Sequence, residues 1–555
     1  MISLFSGKNY KAFESFEMQI KPITILLGAN SCGKSALINA LLMLSQSIDT
    51  MDISESALRL NGKKIGMGEA LNLIKNKEKN NKLSFKFTFD KSGEQKINGS
   101  TFQYDFIESQ VWTIRAAYFG LRKISDVNIE IDRDIVTALE TELYQSEKPD
   151  INKIVKLALS SMKELKKSKS DYNKKKINNS RYDNTINYLF NLSQKKFKDS
   201  MLELASVDDN LIELSSIEYT FSYNSKVEGL YISDFKIFNT NDDVILQVYY
   251  SDEMKFNIRS DIFCNRILKN SKGDLAKIIN INSLSVVGEP RFNRRLKKST
   301  NNPVVEFIIS LISLSVNRLF DELKDLKINH VSPLRALPQR YYLLDKSIHH
   351  NQLNSLDGTE LAEVLKKNPK IKNEINKLLA QFRIAIDIEK VNDIIHKITV
   401  NQNTVNLELT DVGFGISQVL PILVQAMLSP EESITIIEQP EIHLHPNMQA
   451  WLTDALIDIA LKSKKYFIIE THSDALIRRV RLRIVDKDWS LTEKDVAIYH
   501  LEQDKLKSQT NLNSIPVNSV GELTWPTDFM DVEIKDTIEY QRKKIDKLIS
   551  EKSGE

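Results

Sequence analysis

Gly28-Ala29-Asn30-Ser31-Cys32-Gly33-Lys34-Ser35 is the stretch on which the reading of this 555-residue chain turns. It follows the apolar run Ile23-Thr24-Ile25-Leu26-Leu27, which reads as a buried strand. It opens into Ala36-Leu37-Ile38-Asn39-Ala40-Leu41-Leu42-Met43-Leu44, which reads as a helix running to about Ser47. G-x-x-x-x-G-K-[ST] between a strand and a helix is a phosphate cradle. Gly28 and Gly33 let the backbone curl until successive N–H groups face one anion, and the helix start adds partial positive charge. Asn30, Gly33, Lys34 and Ser35 are therefore the expected nucleotide ligands. Lys34 would meet the β- and γ-phosphates, and the Ser35 hydroxyl would meet Mg²⁺. The bland alternative is a glycine-containing turn that happens to carry a lysine; the flanking strand and helix weigh against it.

The chain is long enough for two or three cores. Its 41% apolar and 27% charged residues are those of a soluble globular protein. The net charge of +2 hides 76 basic against 74 acidic residues, so any affinity for nucleic acid has to come from local patches. Two cysteines, Cys32 and Cys264, make no disulfide framework, which fits a reducing cytoplasm. No basic-then-apolar secretory leader is visible. The most apolar stretch, Val304 to Phe320, is broken by Glu306, Asn317 and Arg318 and reads as a buried or interface helix, with no membrane partner implied.

Outward from the loop, Met1 to Gln19 alternates as strands do, and Met67 to Lys75 is helix-like. Leu83 to Asp132 has a strand-like pattern, clearest in Ser84-Phe85-Lys86-Phe87-Thr88-Phe89 and Val127-Asn128-Ile129-Glu130-Ile131. Residues 135–205 read as charged helices, Ile217 to Ile258 as strands, and 261–328 as helix. From Asn329 to Val480 strand and helix alternate in the manner of an α/β core. Neither an internal repeat nor a long heptad array is visible.

Three further motifs follow the loop. Ile434-Thr435-Ile436-Ile437-Glu438 is an apolar strand ending in a carboxylate, Glu438, placed to hold Mg²⁺ through water. Tyr466-Phe467-Ile468-Ile469-Glu470-Thr471-His472-Ser473 is a second such strand; His472 there could face a γ-phosphate or attacking water, or simply cap a strand end. Asp411-Val412-Gly413-Phe414-Gly415-Ile416-Ser417-Gln418 is a glycine-rich turn before a helix, another anion-accepting helix start or a mere turn. His443-Leu444-His445 invites a metal, but no further ligand stands at metal-site spacing. Gln46 is a candidate for a glutamine that touches Mg²⁺, or an ordinary helix-end residue.

Basic runs occur at Lys163–Lys176, at Arg291-Phe292-Asn293-Arg294-Arg295-Leu296-Lys297-Lys298, and at Arg478, Arg479, Arg481 and Arg483. Each could meet a phosphate backbone, although a solvated face is the commoner meaning of such a run. Arg335, between two prolines, is either a fixed polar contact or ordinary.

The order of the four motifs resembles the head domain of ATP-binding-cassette ATPases, in the branch shared with chromosome-maintenance proteins and overcoming-lysogenization-defect nucleases. Gly28–Ser35 is similar to Walker A, Ile434–Glu438 to Walker B, Asp411–Gln418 to the signature loop and Glu470–Ser473 to the switch-histidine loop. Glu438-Gln439-Pro440-Glu441-Ile442-His443-Leu444-His445-Pro446 looks especially like the bacterial AAA ATPase group of that branch. The tail Gly521-Glu522-Leu523-Thr524-Trp525-Pro526-Thr527-Asp528-Phe529 resembles that group's tail domain. The resemblance implies an α/β head built from both chain ends, 1–75 and 329–484, with a helical and stranded lobe inserted at 76–328 and a tail at 485–555. It also implies a head-to-head dimer in which Gly413, Gly415 and Ser417 of one subunit cover the ATP of the other.

One departure matters. The family's usual catalytic glutamate follows the metal carboxylate, and here that residue is Gln439. An amide cannot take a proton from water at neutral pH, so slow hydrolysis is expected, with Glu441 or His472 as the substitute base. The resemblance further implies a scaffold subunit of bacterial anti-phage systems of the Septu type, including retron-linked ones, and of PARIS-like ones, holding a separate nuclease effector. No nuclease motif is visible in the chain itself. The alternative is a DNA-repair or chromosome-maintenance ATPase that clamps DNA directly.

Overall fold

The structure is a computed structural model. It describes residues 1–48, 56–90, 99–123, 133–145, 150–174, 182–205, 207–251, 253–287, 302–335, 338–343, 353, 360–402, 405–504, 506–507, 509–525 and 536–545.

A hairpin of β1 (Ile2–Tyr10) and β2 (Phe13–Gln19) leads into β3 (Ile23–Gly28) and the helix Lys34–Ile48. β4 (Leu83–Phe89) is followed by helices, and then by β5 (Leu214–Asn224), β6 (Gly229–Asn239), β7 (Val244–Tyr250) and β8 (Phe256–Arg259). These strands do not form a sheet of their own. β4 pairs with β1, Phe87 opposite Phe5, so a seven-stranded antiparallel sheet β2-β1-β4-β5-β6-β7-β8 runs across the expected division at 75/76. Alternation explains the pairing: Phe5, Phe85 and Phe87 point to one face and stack with ring centroids 5.1–5.7 Å apart, each such pair contributing about 0.5–1.5 kcal/mol beyond burial.

The central sheet is different in kind. β9 (Ile328–Val331) is followed by a small antiparallel sheet of β10 (Tyr342–Leu343), β11 (Ile384–Lys390), β12 (Ile395–Gln402) and β13 (Val405–Glu408). Then come β14 (Ile434–Glu438), β15 (Tyr466–Glu470), β16 (Val496–Asp504) and β17 (Gln509–Ile515). The order is β17-β16-β3-β15-β14-β9, parallel except for β17 at the edge. Its inner strands β3, β14 and β15 are nearly continuous apolar runs because both faces are covered. Leu26, Ile436 and Ile468 feed one core, shared with the antiparallel sheet, while Ile25, Ile437 and Ile469 feed the other. The carboxyl ends of β3, β14 and β15 therefore come together at one edge, where parallel sheets bind ligands.

Two local expectations change. Met67 to Lys75 is not a helix but two short 3₁₀ turns, Ala70–Leu73 and Lys75–Lys77. Gly99–Arg122 is a helix where strand was expected. Its aromatic and β-branched content favours strand, but Phe106, Gln110, Val111, Ile114, Ala117 and Leu121 are buried at helical spacing, and tertiary packing prevails. The run Val127–Ile131 lies outside the described residues. The helix Pro303–Leu323 is long and apolar enough to cross a membrane. Yet it starts on an Asn302 cap and buries Phe307, Ile308, Leu311 and Ile312 in the core.

Candidate functional site

The loop after β3 has the backbone its glycines predicted. Gly28 has φ +144° and Gly33 φ +103°. A Cβ on Gly28 would stand 2.6 Å from both Cys32 Sγ and the Leu501 carbonyl oxygen, so the position admits no side chain. Ser31 between them is also left-handed, at φ +64°. Asn30 is exposed on the loop. Lys34 opens the helix and is only 4% exposed. Its Nζ donates to the carbonyls of Gly28 (2.9 Å) and Ala29 (3.0 Å), within the loop it would serve.

Glu438 and Glu470 close β14 and β15 in register with each other. The Ser35 hydroxyl donates to Glu470 at 3.3 Å, and Lys34 Nζ lies 3.9 Å from the same carboxylate. Burial and the neighbouring Glu438 charge push the Glu470 carboxyl up to about 7, against the pull of Lys34 and Ser35. His330 on β9 approaches Glu438 Oε1 through Nε2 at 2.6 Å. Lysine, hydroxyl and two carboxylates thus converge beside a left-handed anion loop. This donor set fits a magnesium nucleoside triphosphate, in which Mg²⁺ takes one or two carboxylates along with phosphate oxygens. Sequence reasoning missed His330 and the carboxylate role open to Glu470. The available signal was that Ile434–Glu438 and Tyr466–Glu470 are apolar strands of equal length, each ending in glutamate.

Gln439 follows Glu438 in a left-handed conformation, φ +43°, and its N–H donates to the Glu470 carbonyl at 2.7 Å. Glu441 is not idle. Its Oε2 accepts the Thr471 hydroxyl (2.8 Å) and its Oε1 the His472 backbone N–H (2.7 Å), which ties the turn after β14 to the loop after β15. His472 itself is exposed. Partial burial of its imidazole and the positive charge of Lys34 hold its pKa below the ordinary value, favouring the neutral ring. Ser473 caps the next helix, Asp474–Val485, accepting from Leu476 N–H and donating to Gln449. His445 likewise caps Pro446–Lys462, its Nδ1 accepting from Asn447 N–H.

Gly413 and Gly415 stand at the start of the helix Phe414–Leu428, with Ser417 buried one turn in. This helix packs on Pro446–Lys462, β9 and β14. A Cβ on Gly413 would meet nothing within 4 Å, so its face is open.

Two readings are corrected. Gln46 is not at the site: it lies eleven residues past Ser35, about 17 Å along the helix. Its amide is fully engaged, donating to the Arg59 and Ile65 carbonyls and accepting from Ile65 N–H. The arginine run at 478–483 is not a free phosphate patch. Arg479 and Arg483 both clasp Asp454, Arg478 pairs with Asp474, and Arg481 donates to the Gly521 carbonyl and covers Trp525. Residues 291–298, and those from Pro526 to Phe529 in the tail, lie outside the described residues.

Among solved structures the chain is similar to the SMC head domain from Thermotoga maritima, with 7% identity, 93% of this chain and 99% of that one covered, and a TM-score of 0.32. It is also similar to an Smc head domain with an extended coiled coil, bound to the C-terminal domain of ScpA derived from Pyrococcus furiosus. There the identity is 10%, the coverage 97% and 99%, and the TM-score 0.31. No curated protein matches the sequence. The family model described as AAA ATPase domain matches residues 1–477. With more than four-fifths of its length so matched, and with a phosphate loop, a lysine and paired strand-end carboxylates gathered at one sheet edge, this chain belongs to the AAA ATPase domain family.

Proposed function

We propose that this protein is a slow, nucleotide-clamping ATPase that works as a dimer. Asn30, Gly33, Lys34 and Ser35 hold the phosphates, and Ser35 with Glu438 holds Mg²⁺, which when bound neutralises phosphate charge. Gly413, Gly415 and Ser417 of a second subunit cover the nucleotide, a reading supported by the open face at Gly413, where a Cβ would meet nothing within 4 Å. The observation that supports slowness is Gln439 in the sequence: an amide follows Glu438 at the position where the resemblance puts the catalytic glutamate. Loss of a positioned base typically costs 10²–10⁴-fold.

On this reading Glu441 orients the switch loop and His472, neutral and exposed beside it, is the remaining proton acceptor. The closed dimer is a long-lived state suited to a cytoplasmic sensor or scaffold that holds a separate nuclease in an anti-phage complex. Purified protein should turn over ATP well below once per second and become dimeric with ATP. It should also retain a small nuclease encoded beside it when the two are co-expressed. Turnover of many per second refutes the clamp, and capture of DNA without any protein partner favours a DNA-clamping ATPase instead.

A further inference from the structure

Arg335 follows β9 and is 7% exposed. Its Nη2 donates to two main-chain oxygens at once, those of Glu438 and Gln439, each at 3.0 Å. Among the described residues its Nε and Nη1 have no hydrogen-bond partner. Burying donors unmet costs about 1–3 kcal/mol, so an arginine placed for stability alone would not be left this way. Burial also lowers its pKa to about 10, with the nearby Glu441 charge opposing the shift; the guanidinium is charged at neutral pH.

Its two acceptors are the residues that matter most here. The Gln439 peptide is gripped on both sides: the N–H by the Glu470 carbonyl, the C=O by Arg335. Between those grips Gln439 holds φ +43°, a conformation that a side chain with a Cβ adopts only at a cost. The turn fixes the direction in which the Glu438 carboxylate leaves the strand and the place from which Gln439 faces the site. Arg335 reaches both through backbone atoms alone.

We infer that Arg335 is a positioning residue for hydrolysis, which sets the aim of Glu438 and Gln439 without touching the nucleotide. The inference rests on the reading of this edge as an ATPase site. A misplacement of about 1 Å costs on the order of 10²-fold in rate, whereas binding rests chiefly on the phosphate loop after β3, three strands from β9.

The test compares wild type, Arg335→Met and Arg335→Lys for the Kd of a fluorescent non-hydrolysable ATP analogue, for kcat, and for Tm. The expected result is a Kd within about threefold of wild type in all three and a kcat about 10–100-fold lower in Arg335→Met. Arg335→Lys should recover part of that loss, because its ammonium still donates to carbonyls. If Arg335→Met does not fold, Arg335→Gln takes its place; its amide reaches less far and cannot bridge both oxygens.

An unchanged kcat in the neutral variant overturns the inference. So does a fall in kcat matched by an equal loss of affinity, which would mark a merely structural residue. A wild type that binds the analogue but hydrolyses ATP no faster than buffer leaves no rate for Arg335 to set, and overturns it as well. A wild type that binds no analogue refutes the nucleotide site itself, and is seen before any variant is compared.

Discussion

Glu438 and Glu470 end adjacent parallel strands at the same register, and the second carboxylate takes the Ser35 hydroxyl. Burial and a neighbouring carboxylate charge both disfavour ionisation, and together they push the Glu470 carboxyl up to about 7. A carboxyl raised above its unfolded value holds its proton longer in the folded chain. Its contribution is therefore fully present below the unfolded pKa near 4.5 and is lost as pH rises through about 7. Without nucleotide or Mg²⁺, Glu470→Gln should match wild type near pH 4.5 and be more stable at pH 8, by about 1–3 kcal/mol. Thermal unfolding of both proteins across that range checks it. Equal Tm values at pH 8 would show that no strained pair exists.

Lys34 is nearly buried, and its ammonium lies among the Gly28 and Ala29 carbonyls and Glu470. Lys34→Ala should weaken ATP binding at least about tenfold, the loss of one charge-assisted contact worth about 1.5–3 kcal/mol. The variant should lose ATP-dependent dimerisation, read by light scattering with and without nucleotide. It should keep its fold, because the loop backbone is set by Gly28 and Gly33.

Gln439→Glu places a carboxylate directly after Glu438, and should raise kcat by roughly 10–10²-fold. Single-turnover hydrolysis measures this. The same substitution should shorten the life of the ATP-bound dimer. A variant no faster than wild type would mean that the side chain does not face the attacking water.

Glu441 accepts from both Thr471 Oγ1 and the His472 backbone N–H. Glu441→Ala leaves those donors unmet, costing about 1–3 kcal/mol, and should speed amide exchange at His472. Glu441→Gln keeps one acceptor oxygen. If Glu441 orients the switch loop, the Gln variant retains most of its hydrolysis; if Glu441 is the base, Gln and Ala are equally inactive. Rates for the pair decide between these roles.

Asp454 clasps Arg479 and Arg483, tying the helix Pro446–Lys462 to the helix Asp474–Val485. Two guanidinium groups hold its carboxyl below the usual range despite partial burial. Asp454→Asn strands both arginines and should lower Tm by a few degrees, from about 1–3 kcal/mol of lost charged hydrogen bonds. The loss should be the same at pH 6 and pH 8, since a depressed carboxyl is ionised throughout that window.

What could be read from the chain alone was whatever depends on near neighbours. The phosphate loop is eight consecutive residues, and the positive φ values at Gly28 and Gly33 follow from the lack of a Cβ. The apolar strands before Gly28, Glu438 and Glu470 were legible because burial on two faces leaves almost no polar position in the run, Thr24 and Thr435 being the exceptions. The strand-like pattern at 99–122 misled for the opposite reason. Its residue types favour a strand, and only the lobe core, by burying Phe106, Val111, Ile114 and Leu121 together, makes it a helix.

The tertiary structure alone decided which distant groups meet. Ser35 and Glu470 are 435 residues apart and His330 and Glu438 are 108 apart. Arg335 is 103 residues from the Glu438 carbonyl that it holds. Each of these contacts is fixed by which parallel strands lie side by side and in what register. Strand order is a property of the whole packed core, in which a residue's partner is set by the sheet and not by its place in the chain.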